Sequence, residues 1–535
     1  MKSLMKKVFA AAAAIATVFG LAATTVATAN AADNATLTVS TTDAKFAGKT
    51  VNAYKMFSAT VSGDGKAVSY TLTNEWKPFF MNSTASGLTG DVTDANVNDK
   101  ANDYVSKLTG NALVAFATKA SNWAQTKTNN IATSATAEVS ANATNGKYTA
   151  TFTGLDYGYY VVAVPGATLA NAKSQYATLV SVHSTKVDAD IKGDLPTVDK
   201  KVQVNGTGQN ATDAKIGDTL TFTLTSTIPD MSAYDTYTFN FKDTLSKGLT
   251  FGQVKSVKVE NVTLTENTDY TVTTPTASNN NTLTVAMKDF KTKQQANAGK
   301  KITVTYTATL NENAVVGGAG NVNSATIQYS NNPSTNGTGE SEPSKVRVFT
   351  YGFTVDKYTG GSYDDTATRL AGAEFTLAPK NDTDSTAISF VQVNAGNATT
   401  NAVYRVAKAG ETATTTTITT PANGKVDFQG LKNGEYTLTE TKAPAGYNKL
   451  ASAIGVRVDG QNDGTDTTNA TVTITYDNNN GSDYDQTASN GVIPVHNKSG
   501  VTLPGTGGMG TIAFTVIGVL VIALGVAWTL KRKNA

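Results

Sequence analysis

The sequence predicts a mainly β protein: tandem antiparallel β-sandwich domains, the first with a helical insertion, and a C-terminal transmembrane helix. Three observations carry this. Strand-like segments alternating apolar and polar residues recur between residues 33 and 499, separated by Gly- and Asn-containing turns. The first third of the chain breaks the alternation once, with apolar residues at helical spacing. From about Met509 to Leu530 the chain is an apolar run of about 20 residues, enough at ~1.5 Å per residue to cross a bilayer core.

Both ends read as processing segments. Residues 1–31 open with Lys2, Lys6 and Lys7, continue apolar from Val8 to Ala23, and end in Ala29-Asn30-Ala31, a small-x-small cleavage site. That is the pattern of a secretory signal peptide, so the mature chain is expected to begin near Ala32. At the other end Lys531-Arg532-Lys533 follows the apolar run, the basic cluster that keeps a tail on the cytoplasmic side. Removing both ends takes away six of the 44 Lys+Arg and none of the 42 Asp+Glu, which leaves a net charge of −4. A mildly acidic chain is poorly suited to nucleic acid. There is no cysteine, so an exported chain must rely on its cores or on another covalent staple. His183 and His496 are the two histidines. They supply no His/Cys/acid cluster for zinc and no Ser-His-Asp set, and no metal or cofactor is expected.

The mature length predicts about three domains. The first, residues 32–192, has strand patterns at Thr36–Ser40, Thr50–Phe57, Lys147–Phe152 and Gly158–Val164. Between them, Leu113, Phe116, Ala117, Ala120 and Ala124 fall on one helical face. A shorter helix is expected over Asp99–Leu108, with Gly110 as the break. The second domain, residues 193–348, has long alternating strands. Asp218–Thr225 places Leu220, Phe222 and Leu224 on one face, and Lys301–Leu310 places Ile302, Val304 and Tyr306 on one face. The third, residues 349–499, repeats the style at Leu370–Leu377, Glu435–Glu440 and Val492–Asn497. Residues 500–535 form the tail.

Strand parity then singles out polar residues on apolar faces. Residues two apart share a face. Phe353, Val355 and Lys357 do so, as do Tyr436, Leu438 and Glu440, and Ile493, Val495 and Asn497. Each apolar face thus carries one polar residue towards the core. A lone buried charge is costly, and complete burial pushes a lysine amine down in pKa and a carboxyl up. A neutral amine beside a protonated acid and an Asn amide can react: the amine attacks the side-chain carbonyl, the acid polarises it and relays protons, and ammonia leaves. The product is an isopeptide bond that stands in for a disulfide. In the second domain the same parity groups Val198, Lys200 and Val202; Tyr237, Phe239, Phe241 and Asp243; and Asn323, Ala325, Ile327 and Tyr329. Lys201, Asn321 and Asn331 compete for the same roles. The first domain offers no comparable trio.

Several stretches resemble known families. Leu503-Pro504-Gly505-Thr506-Gly507, followed by the apolar run and the basic cluster, resembles the sorting signal of Gram-positive surface proteins. The resemblance implies sortase cleavage between Thr506 and Gly507, with the Thr506 carbonyl carried as a thioester to an amine. Glu435 to Tyr447 resembles the E-box of pilins, and Leu370–Leu377 resembles the strand after the bonding lysine in collagen-adhesin type B domains. This implies an Ig-like domain with Lys357 as bonding lysine, Glu440 as catalytic acid and Asn497 as acceptor. Asp243–Phe251 resembles a type A Ig-like domain, implying Lys200 as nucleophile, Asp243 as acid and Asn323 as acceptor.

As a whole, the mature chain resembles the backbone (major) pilin, or fimbrial shaft subunit, of sortase-assembled Gram-positive pili. The resemblance implies head-to-tail joining of copies by a pilus (class C) sortase, attachment to peptidoglycan by a housekeeping sortase, tip or minor pilins as companions, and host surface ligands. In that family the accepting lysine lies between the first two domains in a Tyr-Pro-Lys motif. Here Tyr-Pro is missing; Lys192, just before Leu195-Pro196, holds the place, with Lys186 second. Internal bonds joining first and last strands would keep pulling force off the hydrogen-bond ladders. The alternative is a monomeric sortase-anchored adhesin binding a host glycan or matrix protein, which needs Thr506 but not Lys192. A wall-bound enzyme has no catalytic cluster in its favour.

Overall fold

The computed structural model describes residues 34–63, 67–167, 177–232, 234–331, 337–380, 386–461, 471–478, 483–500 and 509–533. The signal-peptide reading of residues 1–31 and the motif Leu503–Gly507 lie outside these described residues. Three successive blocks of paired β-sheets make up the chain.

The first block contains β1 (Ala35–Thr41), β2 (Thr50–Val61), β3 (Val68–Leu72), β4 (Ala135–Glu138), β5 (Tyr148–Leu155), β6 (Gly158–Ala163), β7 (Ala177–Val182) and β8 (Lys186–Asp190). One sheet runs β5-β1-β8; the other runs β3-β2-β6-β7, with β4 also on β2. Helices Val97–Ser106 and Gly110–Gln125 lie between β3 and β4 in sequence and cover the outer face of the second sheet. That sheet is therefore buried on both faces. On β6, Tyr160 and Val162 join the inter-sheet core while Tyr159, Val161 and Ala163 meet Phe79, Phe80 and Phe116 under the helices. A strand covered on both sides must be apolar throughout, which is why Gly158–Val164 does not alternate. The second helix begins at Gly110, whose φ of 53° lies in the left-handed region, so this glycine opens the helix after the break.

The second block contains β9 (Asp199–Val204), β10 (Thr207–Gln209), β11 (Ala211–Asp213), β12 (Thr219–Thr227), β13 (Phe239–Leu245), β14 (Leu249–Val259), β15 (Val262–Thr263), β16 (Tyr270–Thr273), β17 (Thr282–Met287), β18 (Lys301–Leu310), β19 (Asn321–Ser330), β20 (Thr338–Glu340) and β21 (Ser344–Phe349). Its sheets run β10-β9-β12-β18-β14-β15 and β11-β21-β19-β13-β17-β16, with β20 on β19.

The third block contains β22 (Tyr351–Thr359), β23 (Thr368–Arg369), β24 (Glu374–Pro379), β25 (Phe390–Asn394), β26 (Ala402–Val406), β27 (Thr414–Thr415), β28 (Ile418–Thr419), β29 (Lys425–Leu431), β30 (Gly434–Lys442), β31 (Ile454–Gln461), β32 (Thr471–Asp477), β33 (Gln486–Thr487) and β34 (Val492–His496). Its sheets run β23-β22-β29-β26-β25-β27, with β34 on β22, and β28-β24-β30-β31-β32-β33.

The sandwiches are mainly but not wholly antiparallel. β1 pairs β8, β11 pairs β21, β22 pairs β34 and β26 pairs β29 in parallel. In the first and third blocks the parallel pair joins the first strand to the last. Chain entry and exit then fall at opposite ends of the block, as a linear stack requires. Neighbouring blocks are tied by short contacts: Lys49 Nζ donates to Glu340 O at 3.0 Å, Ile216 N to Gly430 O at 3.0 Å, and Asn433 N to Asp213 Oδ2 at 2.8 Å.

The C-terminal segment Met509–Lys533 is helical. Among the described residues no helix is long and apolar enough to cross a membrane. Val516, Ile522, Leu524 and Trp528 of this segment are more than half exposed.

Candidate functional site

Among the described residues two lysines are buried, Lys200 and Lys357, and each faces an acid and an asparagine. Both sites follow from alternation. Lys200 lies on β9 between the core residues Val198 and Val202, and Lys357 lies on β22 beyond Phe353 and Val355. Since period two leaves no choice of face, each lysine enters its core with the apolar residues beside it.

In the second block Lys200, Asp243 and Asn323 are all inaccessible to solvent. Lys200 pairs with Leu224 in one sheet; Asp243 pairs with Ala325 in the other, and Asn323 lies two residue pairs along on the same face, opposite Leu245. The site therefore bridges the sandwich. Lys200 Nζ donates to Asp243 Oδ2 and to the Tyr306 hydroxyl, the latter at 2.9 Å. It sits 5.1 Å from the Phe222 ring centroid and 5.2 Å from that of Tyr306. Burial pushes the Lys200 ammonium down to about 8, against the pull of Asp243. The competing residues are engaged elsewhere. Lys201 Nζ donates to Asn210 Oδ1 at 2.7 Å, Asn321 binds backbone at Val315 and Val348, and Asn331 packs beside Gly166.

In the third block Lys357 and Asn497 sit in one sheet and Glu440 faces them from the other. Lys357 Nζ donates to Val495 O at 3.0 Å and lies 3.6 Å from Glu440 Oε1. Glu440 Oε2 accepts from Asn497 Nδ2 at 3.1 Å and from Leu450 N at 2.7 Å. Asn497 Nδ2 also donates to Asn448 O at 3.0 Å. Burial pushes Lys357 down to about 8, opposed by Glu440.

The two sites share an electrostatic feature. Among the described residues, Asp243 Oδ1, Asn323 Oδ1, Glu440 Oε1 and Asn497 Oδ1 are buried acceptors without a hydrogen-bond donor. Each such oxygen costs about 1–3 kcal/mol. In both sites the orphans are one carboxyl oxygen and the asparagine carbonyl oxygen.

The expectation that the internal bond joins first and last strands fits the third block, where β22 and β34 are neighbours. It does not fit the second. Asn323 lies on β19, and the chain continues through β20 and β21 before leaving the block. Sequence reading placed Tyr306 in the core without assigning it a part, and it missed Asn448 and Leu450; a partner across a sandwich depends on topology, which local pattern does not contain. In the first block none of the described lysines is buried. Lys192 follows β8 with its side chain 40% exposed and its Nζ 3.3 Å from Asp190 Oδ2. Lys186 is exposed at the start of β8. His496 stacks on Tyr358 with ring centroids 4.9 Å apart, and His183 shares a hydrogen bond with Ser181 at 2.9 Å.

Comparison with known proteins places these sites in a family context. Residues 216–333 match the Gram-positive pilin backbone subunit 2, Cna-B-like domain; residues 359–479 match the SpaA prealbumin-like fold domain; residues 496–535 match the LPXTG cell wall anchor motif. The chain carries the domains of a Gram-positive pilin backbone subunit. Its anchor makes it a cell-wall-attached surface protein. The description of residues 216–333 is Cna-B-like, where sequence reading expected a type A domain. The trypsin-resistant surface T6 protein of Streptococcus pyogenes serotype M6 is 26% identical over 282 residues, 48% of this chain. The chain spans under half the length of that relative, 44%. Among solved structures, the T6 backbone pilin of serotype M6 S. pyogenes matches at 18% identity and a TM-score of 0.46, over 88% of this chain and 100% of that one. The full-length major pilin SpaD from Corynebacterium diphtheriae matches at 20% identity and a TM-score of 0.39, over 88% and 98%.

Proposed function

We propose that this protein is the structural shaft subunit of a covalently polymerised pilus anchored to the Gram-positive cell wall. The observation that carries the reading is the succession, in one chain, of pilin-backbone domains and a cell wall anchor. In this reading the chain divides at 192/193, 348/349 and 499/500. A pilus sortase cuts after Thr506 and joins its carbonyl to Lys192 of another copy, and a housekeeping sortase joins the terminal copy to peptidoglycan. The half-exposed Lys192, at the exit of β8, supports its part as acceptor. The protein is a substrate in these steps and turns over nothing itself beyond its own cross-links.

Each buried centre forms one isopeptide bond. The neutral lysine amine attacks the asparagine carbonyl carbon, the facing acid relays the proton, and ammonia departs. Burial supports this for both lysines: it favours the neutral, nucleophilic amine. The bonds then link Lys200 to Asn323 and Lys357 to Asn497.

The test is Lys192→Ala in cells that assemble the protein. The expected outcome is collapse of the high-molecular-weight ladder, seen on denaturing gels of wall extracts, to single wall-attached copies, with Lys186→Ala leaving the ladder intact. A ladder that survives both substitutions contradicts the assignment of the acceptor. Single copies in the unsubstituted strain would leave the monomeric adhesin as the reading.

A further inference from the structure

We propose that Tyr306 is a catalytic residue of the second block's cross-linking step, handing a proton to the departing amide nitrogen of Asn323. The inference rests on the Lys200–Asn323 bond proposed above.

It comes from a difference between the two centres. In the third block a glutamate spans both reactants: Glu440 Oε1 lies 3.6 Å from the Lys357 amine and Oε2 accepts from Asn497 Nδ2 at 3.1 Å. In the second block the acid is an aspartate, one methylene shorter. Asp243 Oδ2 is paired with Lys200 and Tyr306, and Asp243 Oδ1 has no hydrogen-bond partner, so neither oxygen is bonded to Asn323. Tyr306 fills the gap. Its O–H donates to Asp243 Oδ2 at 2.5 Å, and the same oxygen accepts from Lys200 Nζ at 2.9 Å and from Asn323 Nδ2 at 2.6 Å. A phenol offers one donor and two acceptor sites, and all three are used here on the acid, the nucleophile and the leaving group.

Packing holds the hydroxyl in place. Tyr306 is fully buried and its ring stacks on Phe222 with centroids 5.3 Å apart. Burial pushes its phenol well above the usual range, so it stays a proton donor.

The step balances. Lys200 Nζ, as a neutral amine, attacks Asn323 Cγ; the Nζ–Cγ bond forms and the Cγ–Nδ2 bond breaks. Nζ gives one proton to Asp243. Tyr306 gives its proton to Nδ2 and is reprotonated by Asp243. One amide and one ammonia result, and Tyr306 and Asp243 end as they began.

The experiment uses the full wall-anchored chain carrying Tyr306→Phe, which removes only the hydroxyl. After an isotope pulse, tryptic mass mapping of wall-released protein follows the Lys200–Asn323 branched peptide, with the Lys357–Asn497 peptide as internal control. The expected result is a fall of roughly 100-fold or more in the rate of the first link, with the control unchanged. Adding Asp243→Glu should restore the link, because the longer acid can reach Asn323 as Glu440 reaches Asn497. Formation at the unsubstituted rate in Tyr306→Phe overturns the proposal. Absence of the link from the unsubstituted chain overturns the cross-link reading instead. Should Tyr306→Phe weaken the fold, the double variant decides: recovery of the link without the hydroxyl supports the relay, and continued absence overturns it.

Discussion

Lys357 on β22 and Asn497, the residue that follows β34, lie side by side on neighbouring parallel segments, with Lys357 opposite Val495 and the Asn497 N–H donating to Tyr358 O at 3.1 Å. Lys200 and Asn323 instead face each other across a sandwich. A bond at the first pair closes the third block at its two ends. A bond at the second pair clamps two sheets and leaves β20 and β21 outside the closed loop.

Glu440→Ala should therefore abolish the Lys357–Asn497 bond while leaving Lys200–Asn323 formed. Intact mass should rise by one retained ammonia beyond the change in side chain. Losing a cross-link that closes a loop of over about 100 residues should cost the third block roughly 4–5 kcal/mol in denaturant unfolding. An unchanged unfolding midpoint would contradict the staple.

Without its cross-link, each buried lysine becomes a pH-dependent load. Burial pushes the Lys357 amine down to about 8 from its ordinary 10.5, and Asn497→Ala leaves that amine unlinked. Between those values the unfolded chain binds the extra proton, so stability rises with pH; below about 8 both states are protonated and the burial penalty is fully present. The expected outcome is a denaturation midpoint that climbs from pH 8 to about 10 relative to Lys357→Met/Asn497→Ala, which lacks the amine. Above that range buried tyrosines such as Tyr237, which burial pushes above the usual 10, act in the opposite direction. A flat difference between the two variants would remove the buried amine from the account.

Single-molecule pulling separates the two bonds. In the cross-linked chain neither residues 201–322 nor residues 358–496 lie in the load path. Lys200→Ala should release the first of these segments, adding roughly 400 Å of contour length at about 3.4 Å per residue. No added length would mean that the second block carries no bond.

Much of this was legible before the fold. Alternation along Phe353–Lys357 and Tyr436–Glu440 has one physical solution when the apolar face is buried, and it carries Lys357 and Glu440 into the core. The helical period over Leu113–Ala124 likewise identified the helix that buries Phe116, Ala117 and Ala120. What remained hidden depends on which strands become neighbours. Tyr306 was visible as a core residue, but its hydroxyl meets Asp243 and Asn323 only because β18 lies across the sandwich from β13 and β19. The parallel pairing of β22 with β34 joins strands at opposite ends of the block's sequence, and no local pattern encodes that. Lys192 lacked the surrounding motif that would have marked it, and its exposure alone does not separate it from Lys186.

The central claim is that copies of this chain are joined end to end through a lysine. Tryptic mass mapping of wall material released by a muralytic enzyme tests it most directly, by searching for a branched peptide that joins Thr506 to a lysine side chain. The account predicts a Thr506–Lys192 branch. Thr506 found solely on peptidoglycan fragments would contradict the shaft.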